Sequence, residues 1–122
     1  MTRGRPPARG IRDALPIARA RGQVMQFVRD GKCPADFVIS GDGKVIFVAI
    51  RRANPFRRTP AELEAEFRGL IRQISRFPGI GPVVREFWTY SKKGSLRYFR
   101  VEEAGLGEIG PGRAAAPLYR KG

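Results

Sequence analysis

Residues 35–54, ADFVISGDGKVIFVAIRRAN, carry the clearest structural pattern in the chain. Two apolar runs, DFVIS (36–40) and KVIFVAI (44–50), flank the turn Gly41-Asp42-Gly43, and this arrangement predicts a β-hairpin. The second run is apolar at successive positions, which is typical of a central strand that is covered on both faces. The hairpin therefore predicts a sheet with a layer of structure on each side.

Further elements are predicted on both sides of this hairpin. Upstream, the spacing predicts a helix from Ile11 to about Arg21 and a strand over 24–29. Downstream, Thr59, Pro60 and Glu62 have the residue types that begin a helix, with Thr59 as the cap and Glu62 reaching back to it. An apolar stripe continues that helix, and two strands follow around Lys92-Lys93-Gly94, at 84–90 and 95–102. The expected fold is an α/β sandwich of order αβββαββ with a central mixed sheet.

The chain of 122 residues has room for a single hydrophobic core. We expect a flexible basic arm over residues 1–10, one domain over 11–104, and a flexible tail over 105–122 with room for one further short strand.

The charge balance predicts a polyanionic partner. Lys and Arg number 24 against 11 Asp and Glu, a net charge of +13, and 13 of the basic side chains lie within residues 1–58 against 4 acidic ones. Such a surface repels itself, and nucleic acid is the first candidate partner, with an anionic membrane surface second. A solvated surface that is merely rich in arginine is the alternative.

Composition excludes several kinds of chemistry. The chain has no histidine and one cysteine, which excludes a Cys/His zinc site, an internal disulfide and Ser-His-Asp or Cys-His catalysis. No apolar stretch is long enough to span a membrane and no signal-peptide centre is present, so we expect a cytoplasmic protein without a membrane partner.

The hairpin and the order of the elements resemble the PD-(D/E)XK, or restriction-endonuclease-like, superfamily. Pro34-Ala35-Asp36 is similar to the Pro-Asp part of the family motif, and Val48-Ala49-Ile50-Arg51 stands where members commonly read Val-Glu-Val-Lys. The resemblance covers about residues 11–101, and the chain is similar in size to archaeal Holliday-junction resolvases. It implies a Mg²⁺ or Mn²⁺ nuclease site in which Asp36 and a carboxylate at position 49 bind the metal and the residue at position 51 acts on the attacking water.

This chain departs from the family pattern at two of those positions. Ala49 offers no oxygen to a metal, and Arg51 keeps a positive charge but cannot act as a base. Asp36 has two readings, as a doubtful metal ligand and catalytic residue or as a strand-edge residue that accepts backbone hydrogen bonds. Glu62 is the candidate for a relocated catalytic carboxylate, with Glu66 as a second, and helix capping is its alternative role.

Basic residues around the presumed cleft are candidates for phosphate contacts. They are Lys44, Arg51, Arg52, Arg57, Arg58, Lys92 and Lys93. The aromatic residues of the hairpin at 84–102 suggest a base-stacking platform, although most of them must cover the core; Trp88 and Tyr98 are the candidates for exposure.

Three functions are consistent with these features. The first is a nucleic-acid-binding protein, with DNA as the expected ligand, whose nuclease fold has lost its metal site and which serves in repair, recombination or defence without needing a cofactor. The second is an active Mg²⁺- or Mn²⁺-dependent DNA endonuclease or resolvase with a relocated carboxylate. The third is a protein-interaction module for an acidic partner. The sequence leaves open whether the chain forms a homodimer.

Overall fold

The computed structural model of the protein describes residues 8–27, 33–77 and 81–118. In this part of the chain six strands form one mixed sheet and follow one another across it in chain order: β1 Gln23–Gln26, β2 Phe37–Gly41, β3 Lys44–Arg52, β4 Val83–Tyr90, β5 Leu96–Glu102 and β6 Gly105–Ile109. The helices are α1 Ala8–Arg21, α2 Pro60–Glu66, α3 Arg68–Ile74 and α4 Pro111–Ala114. β3 and β4 are parallel, because α2 and α3 connect them, and every other neighbouring pair is antiparallel.

The sheet is covered on both faces, as the apolar β3 predicts. On one face α1 and α4 pack over a cluster that includes Ile46, Val48 and Ile50; on the other face α2 and α3 pack over a cluster that includes Ala49. Alternate residues of β3 therefore belong to different clusters, as the two-residue period of a strand requires. The prediction of a central, doubly covered strand is confirmed.

The hairpin between β2 and β3 is also confirmed. Gly41 pairs with Lys44, so Asp42 and Gly43 form a two-residue turn. Both turn residues have positive φ, 50° and 74°. This backbone matches the twist of the flanking strands, and glycine and aspartate adopt it at low cost.

The predicted start of the second helix is correct, but the helix is interrupted. Thr59 accepts a hydrogen bond from Glu62 N–H at 3.2 Å, and the Glu62 carboxylate accepts one from Thr59 N–H at 2.9 Å, which together form a capping box. At Phe67 the backbone departs from helical angles and divides the helix into α2 and α3. Helical hydrogen bonds continue into and out of Phe67, so the break is a local distortion rather than a loop.

The ends of the domain differ from expectation. α1 begins at Ala8, so residues 8–10 of the expected arm are helical. Residues 1–7 and 119–122 lie outside the described residues, and so does the end of the strand expected over 24–29. Residues 105–118, expected to form a tail with room for one further short strand, contain that strand as β6 and also the helix α4, which was not expected. Leu106, Ile109 and Ala114 are buried in the two core clusters, so these elements complete the core despite their glycine-rich sequence.

A buried ion pair joins the end of α1 to β4. Arg21 donates to both carboxylate oxygens of Glu86, at 2.8 and 3.1 Å, and Trp88 Nε1 donates to the same carboxylate at 2.9 Å. Arg21 is 4% exposed and Glu86 is fully buried. A charge this deeply buried requires a partner, and the two groups neutralise each other, with Arg21 Nε left without a hydrogen bond among the described residues.

Candidate nucleic-acid interface

The three residues at the motif positions lie together at one end of the β2–β3 pair. Phe37 pairs with Val48, which places Asp36 opposite Ala49 one step further along the ladder. Asp36 N–H donates to Val48 O at 2.8 Å. Asp36, Ala49 and Arg51 therefore lie close together at one end of the β2–β3 pair, as the sequence predicts.

The carboxylate of Asp36 is occupied by hydrogen bonds. Its Oδ2 accepts from Ile50 N–H at 2.8 Å and from Arg51 Nη1 at 2.8 Å. Asp36 is only 7% exposed. Asp36 thus ends the strand pair by replacing a backbone acceptor, and Arg51 supplies the positive charge that a buried carboxylate needs.

The residues around Asp36 do not fit a divalent metal ion. Ala49 is fully buried and has no donor oxygen, and Arg51 takes the position beside the carboxylate with a positive charge of its own. Mg²⁺ and Mn²⁺ favour oxygen ligands and bind through one or two carboxylates together with phosphate and water oxygens. The carboxylate of Asp36 is already hydrogen-bonded to Ile50 N–H and to the guanidinium of Arg51. Across the described ranges 8–27, 33–77 and 81–118 no group of three or more Asp, Glu, Cys or His residues could hold a metal ion.

Glu62, the candidate for a relocated carboxylate, is engaged in the capping box. Its Oε1 accepts from both the N–H and the hydroxyl of Thr59, and the backbone hydrogen bond is the main reason why the pKa of Glu62 is lowered. α2 packs against β6, at the opposite edge of the sheet from β1 and β2. Glu66 forms an ion pair with Arg58. The carboxylates of Glu62 and Glu66 therefore bind neighbouring residues, Thr59 and Arg58.

Four of the predicted basic residues line one groove. Its volume is about 580 Å³, and its walls are the segment after β3 and the β4–β5 turn. The cationic lining residues are Arg52, Arg57, Lys92 and Lys93. All four are exposed, and within the described part of the chain none forms an ion pair or a side-chain hydrogen bond. This basic groove lies beyond the carboxyl ends of the parallel strands β3 and β4, where α/β sheets commonly bind ligands.

Backbone hydrogen bonds hold both walls of the basic groove. Ala53 N–H donates to Tyr90 O at 3.0 Å, which continues the β3–β4 pairing into the first wall. In the second wall the Ser91 hydroxyl accepts from Lys93 N–H and Ser95 N–H, at 3.2 and 3.0 Å. The spacing of the cationic side chains is thus set by a fixed backbone.

A second cavity of about 560 Å³ adjoins the basic groove and shares Phe56 and Arg57 with it. Arg97 lies in this second cavity and binds Glu108 through two hydrogen bonds, Nε to Oε2 at 2.9 Å and Nη2 to Oε1 at 2.8 Å. These bonds raise the pKa of Arg97 and lower the pKa of Glu108. Arg97 Nη1 also donates to the carbonyls of Phe56 and Arg58, at 3.1 and 2.7 Å, and so fixes the loop between the two cavities.

The remaining predicted phosphate contacts lie elsewhere or have partners. Lys44 begins β3 and Arg52 ends it, about 26 Å away at the rise of a strand, so Lys44 is not part of the basic groove. Arg58 is paired with Glu66 and donates to Asn54 O at 2.7 Å. Arg51 is paired with Asp36. The suggestion that Trp88 or Tyr98 is exposed is wrong, since they are 0% and 5% exposed.

Sequence reasoning missed Arg97 and Phe56. Arg97 occupies the same face of β5 as the buried Phe99, where the strand pattern gives no sign that a guanidinium has carbonyl and carboxylate partners from distant parts of the chain. Phe56 stands in a Pro-Phe-Arg-Arg loop, and its position between basic residues was the available signal.

The chain matches no protein-family model, no curated protein and no solved structure. Among the described residues no helix is long and apolar enough to cross a lipid bilayer.

Proposed function

We propose that this protein binds nucleic acid through the basic groove and does not cut it. The observation that carries the proposal is the convergence of Arg52, Arg57, Lys92 and Lys93, from two separate segments, on one groove in which their charges have no acidic partners. Unpaired cations at fixed spacing are what a phosphate chain neutralises when it binds and releases its counterions. We take DNA as the first ligand to test.

The resemblance to restriction-endonuclease-like proteins supports the same function. The antiparallel β1–β2–β3 meander, the helical crossover and the parallel β4 agree with the order that the resemblance implies. Asp36, Ala49 and Arg51 meet at the end of one strand pair, where that family places its motif. The basic groove lies beside this point, since Arg52 directly follows Arg51.

The donor set at Asp36 is the reason for proposing that the protein does not cut. A nuclease of this class uses its metal to activate water and to stabilise the developing charge. Here one carboxylate is neutralised by Arg51, position 49 lacks an oxygen, and the carboxylate of Glu62 is held by Thr59. The groove can still attract a phosphodiester chain, because this attraction needs only the cations.

Binding of an acidic protein partner is the competing function, since Arg and Lys also pair with carboxylates. A phosphodiester chain carries its charges at regular spacing, which suits a groove with cations on both walls. The two ligands are separated by testing each of them directly.

The test is a salt titration of binding to a fluorescein-labelled oligonucleotide, followed by fluorescence anisotropy. The groove variant carries Arg52→Gln, Arg57→Gln, Lys92→Gln and Lys93→Gln. A matched control removes four exposed arginines elsewhere, by Arg19→Gln, Arg72→Gln, Arg76→Gln and Arg113→Gln. Both variants lower the net charge by the same amount.

Each lost phosphate contact lowers the slope of log Kd against log salt by about 0.7 to 0.9. We expect the groove variant to lose roughly 3 units of slope if all four cations contact phosphates, and the control to lose less than about 1. Equal losses in the two variants would show that net charge, rather than the groove, causes binding. Tighter binding of poly-glutamate than of the oligonucleotide at equal salt would favour an acidic protein partner instead.

A further inference from the structure

Phe56 lies between two cationic cavities. It lines both the basic groove and the adjoining cavity that contains Arg97. Among the described residues that line these two cavities it is the only aromatic one. Its side chain is half-buried, so part of it remains accessible to a ligand.

Arg97 contacts both the ring and the backbone of Phe56. The guanidinium of Arg97 lies 5.9 Å from the centre of the Phe56 ring and 4.9 Å from the centre of the Phe99 ring. The same guanidinium donates to the Phe56 carbonyl and is held by both oxygens of Glu108. The cation near the ring and the hydrogen bond to the backbone hold Phe56 in place, so a ligand that stacks on it loses little entropy by ordering it.

We infer that Phe56 stacks against an unpaired base and that the protein therefore prefers single-stranded nucleic acid. This inference rests on the proposed function. With phosphates held by Arg57 and the other groove cations, a base that leaves the backbone beside them reaches the Phe56 ring, and every base has a face suited to stacking. In a duplex the bases are already stacked on one another, and the same ring gains nothing.

The other aromatic side chains are less suited to this role. Phe87, Trp88 and Phe99 are fully buried in the core. Phe47 already stacks on Phe77 at 4.3 Å between ring centres. Tyr90 pairs with Arg52 in the sheet but packs against the cluster that α1 covers, and it does not line the groove. Phe56 lines the groove itself, next to its chain neighbour Arg57.

The experiment compares three probes of equal phosphate number: a single-stranded 12-mer, a fully abasic 12-mer and a duplex. The proteins are wild type, Phe56→Leu and Phe56→Tyr. Leucine keeps an apolar side chain for packing against the α2–α3 cluster, and tyrosine keeps the aromatic ring. The melting temperature of each variant is measured alongside binding.

We expect Phe56→Leu to weaken binding of the normal single strand by about 5- to 150-fold and to leave binding of the abasic strand unchanged, while Phe56→Tyr binds like wild type. A variant with a merely looser loop would lose affinity for both strands alike. Wild-type protein that binds the abasic strand or the duplex as tightly as the normal strand would overturn the inference, even if a Phe56 variant failed to fold.

Failure of this inference differs from failure of the proposed function. Suppose that the groove variant loses salt dependence but that wild type binds the normal and the abasic strand with equal affinity. The groove then binds phosphates, and Phe56 does not stack on a base. If the groove variant keeps its salt dependence, the proposed function itself is wrong.

Discussion

Arg51 Nη1 donates a hydrogen bond of 2.8 Å to Asp36 Oδ2, across the end of the β2–β3 pair. The same oxygen accepts from Ile50 N–H, so one buried carboxylate satisfies a backbone donor and a guanidinium together. Asp36 is therefore a structural anchor of this edge, and Arg51 is its counter-ion.

Asp36→Ala is expected to lower the free energy of unfolding by about 2–4 kcal/mol, because it leaves Ile50 N–H without its acceptor and Arg51 without its counter-ion. Arg51 Nη1 keeps its hydrogen bond to Ile50 O, at 2.7 Å. Asp13→Ala is the control and should cost less than about 1 kcal/mol. Among the described residues, the half-buried Asp13 carboxylate forms an ion pair only with Arg12, at the long distance of 3.9 Å. Urea denaturation followed by circular dichroism measures both. An Asp36→Ala variant as stable as wild type would mean that the carboxylate is kept for another purpose, such as a metal.

Wild-type protein is expected to leave supercoiled plasmid intact in both Mg²⁺ and Mn²⁺, because Asp36 is paired and Ala49 has no oxygen to offer. Agarose-gel analysis of nicked product over several hours checks this. Nicking by wild type that Asp36→Asn abolishes would establish an active nuclease with a relocated ligand. Nicking that survives Asp36→Asn would point to a contaminating enzyme.

Arg21→Ala is expected to destabilise the fold by about 3–5 kcal/mol, because it leaves the carboxylate of Glu86 buried without its cation. Arg19→Ala, an exposed change on the same helix, should stay within about 0.5 kcal/mol of wild type. The pair Arg21→Met with Glu86→Gln keeps an acceptor for Trp88 and should recover more than half of the loss. Thermal or urea unfolding measures these free energies. Equal stability of Arg21→Ala and Arg19→Ala would contradict the claim that the Arg21–Glu86 ion pair stabilises the fold.

Acid is expected to remove the stability that Glu108 provides. The hydrogen bond from Arg97 lowers the pKa of Glu108 in the folded protein. A lowered pKa means that the contribution is present above the ordinary pKa of a glutamate, about 4.3, and disappears as the pH falls through the folded-state pKa. The melting temperature of wild type should therefore exceed that of Glu108→Gln at pH 7.

The difference between these two proteins should shrink toward pH 3, where the protonated Glu108 resembles glutamine. Glu103→Gln, an exposed change in the β5–β6 turn, is the control and should differ little from wild type at any pH. A difference for Glu108→Gln that stays constant from pH 7 to pH 3 would show that the ion pair with Arg97 is not its cause.

Much of the fold is readable from local patterns. The hairpin at Gly41-Asp42-Gly43, the doubly covered β3 and the Thr59 capping box all follow from residues that are neighbours in sequence. β6 was expected only as an optional short strand and α4 was not expected, because the stability of both comes from contacts with distant elements. The sequence GLGEI has few strand-forming residues, yet Leu106 and Ile109 fill space left by the core.

The candidate site could also be predicted only where it depends on local sequence patterns. The meeting of Asp36 with Arg51 follows from strand pairing and the two-residue period. The grouping of Arg52 with Lys92 depends on which strand ends lie side by side, which the parallel β3–β4 register decides. The role of Arg97 as a support for the loop at Phe56 depends on side-chain contacts between residues some 40 positions apart, and no local pattern indicates them.

The most direct test of the central claim is to map where nucleic acid touches the protein. Amide chemical shifts of ¹⁵N-labelled wild-type protein are recorded while a single-stranded DNA 12-mer is added at moderate salt. We expect the largest shifts at residues 52–58 and 91–95, the two walls of the basic groove. Shifts centred on Lys44 at the far end of β3 or on the arginines of α3, or no shifts at all, would contradict the account.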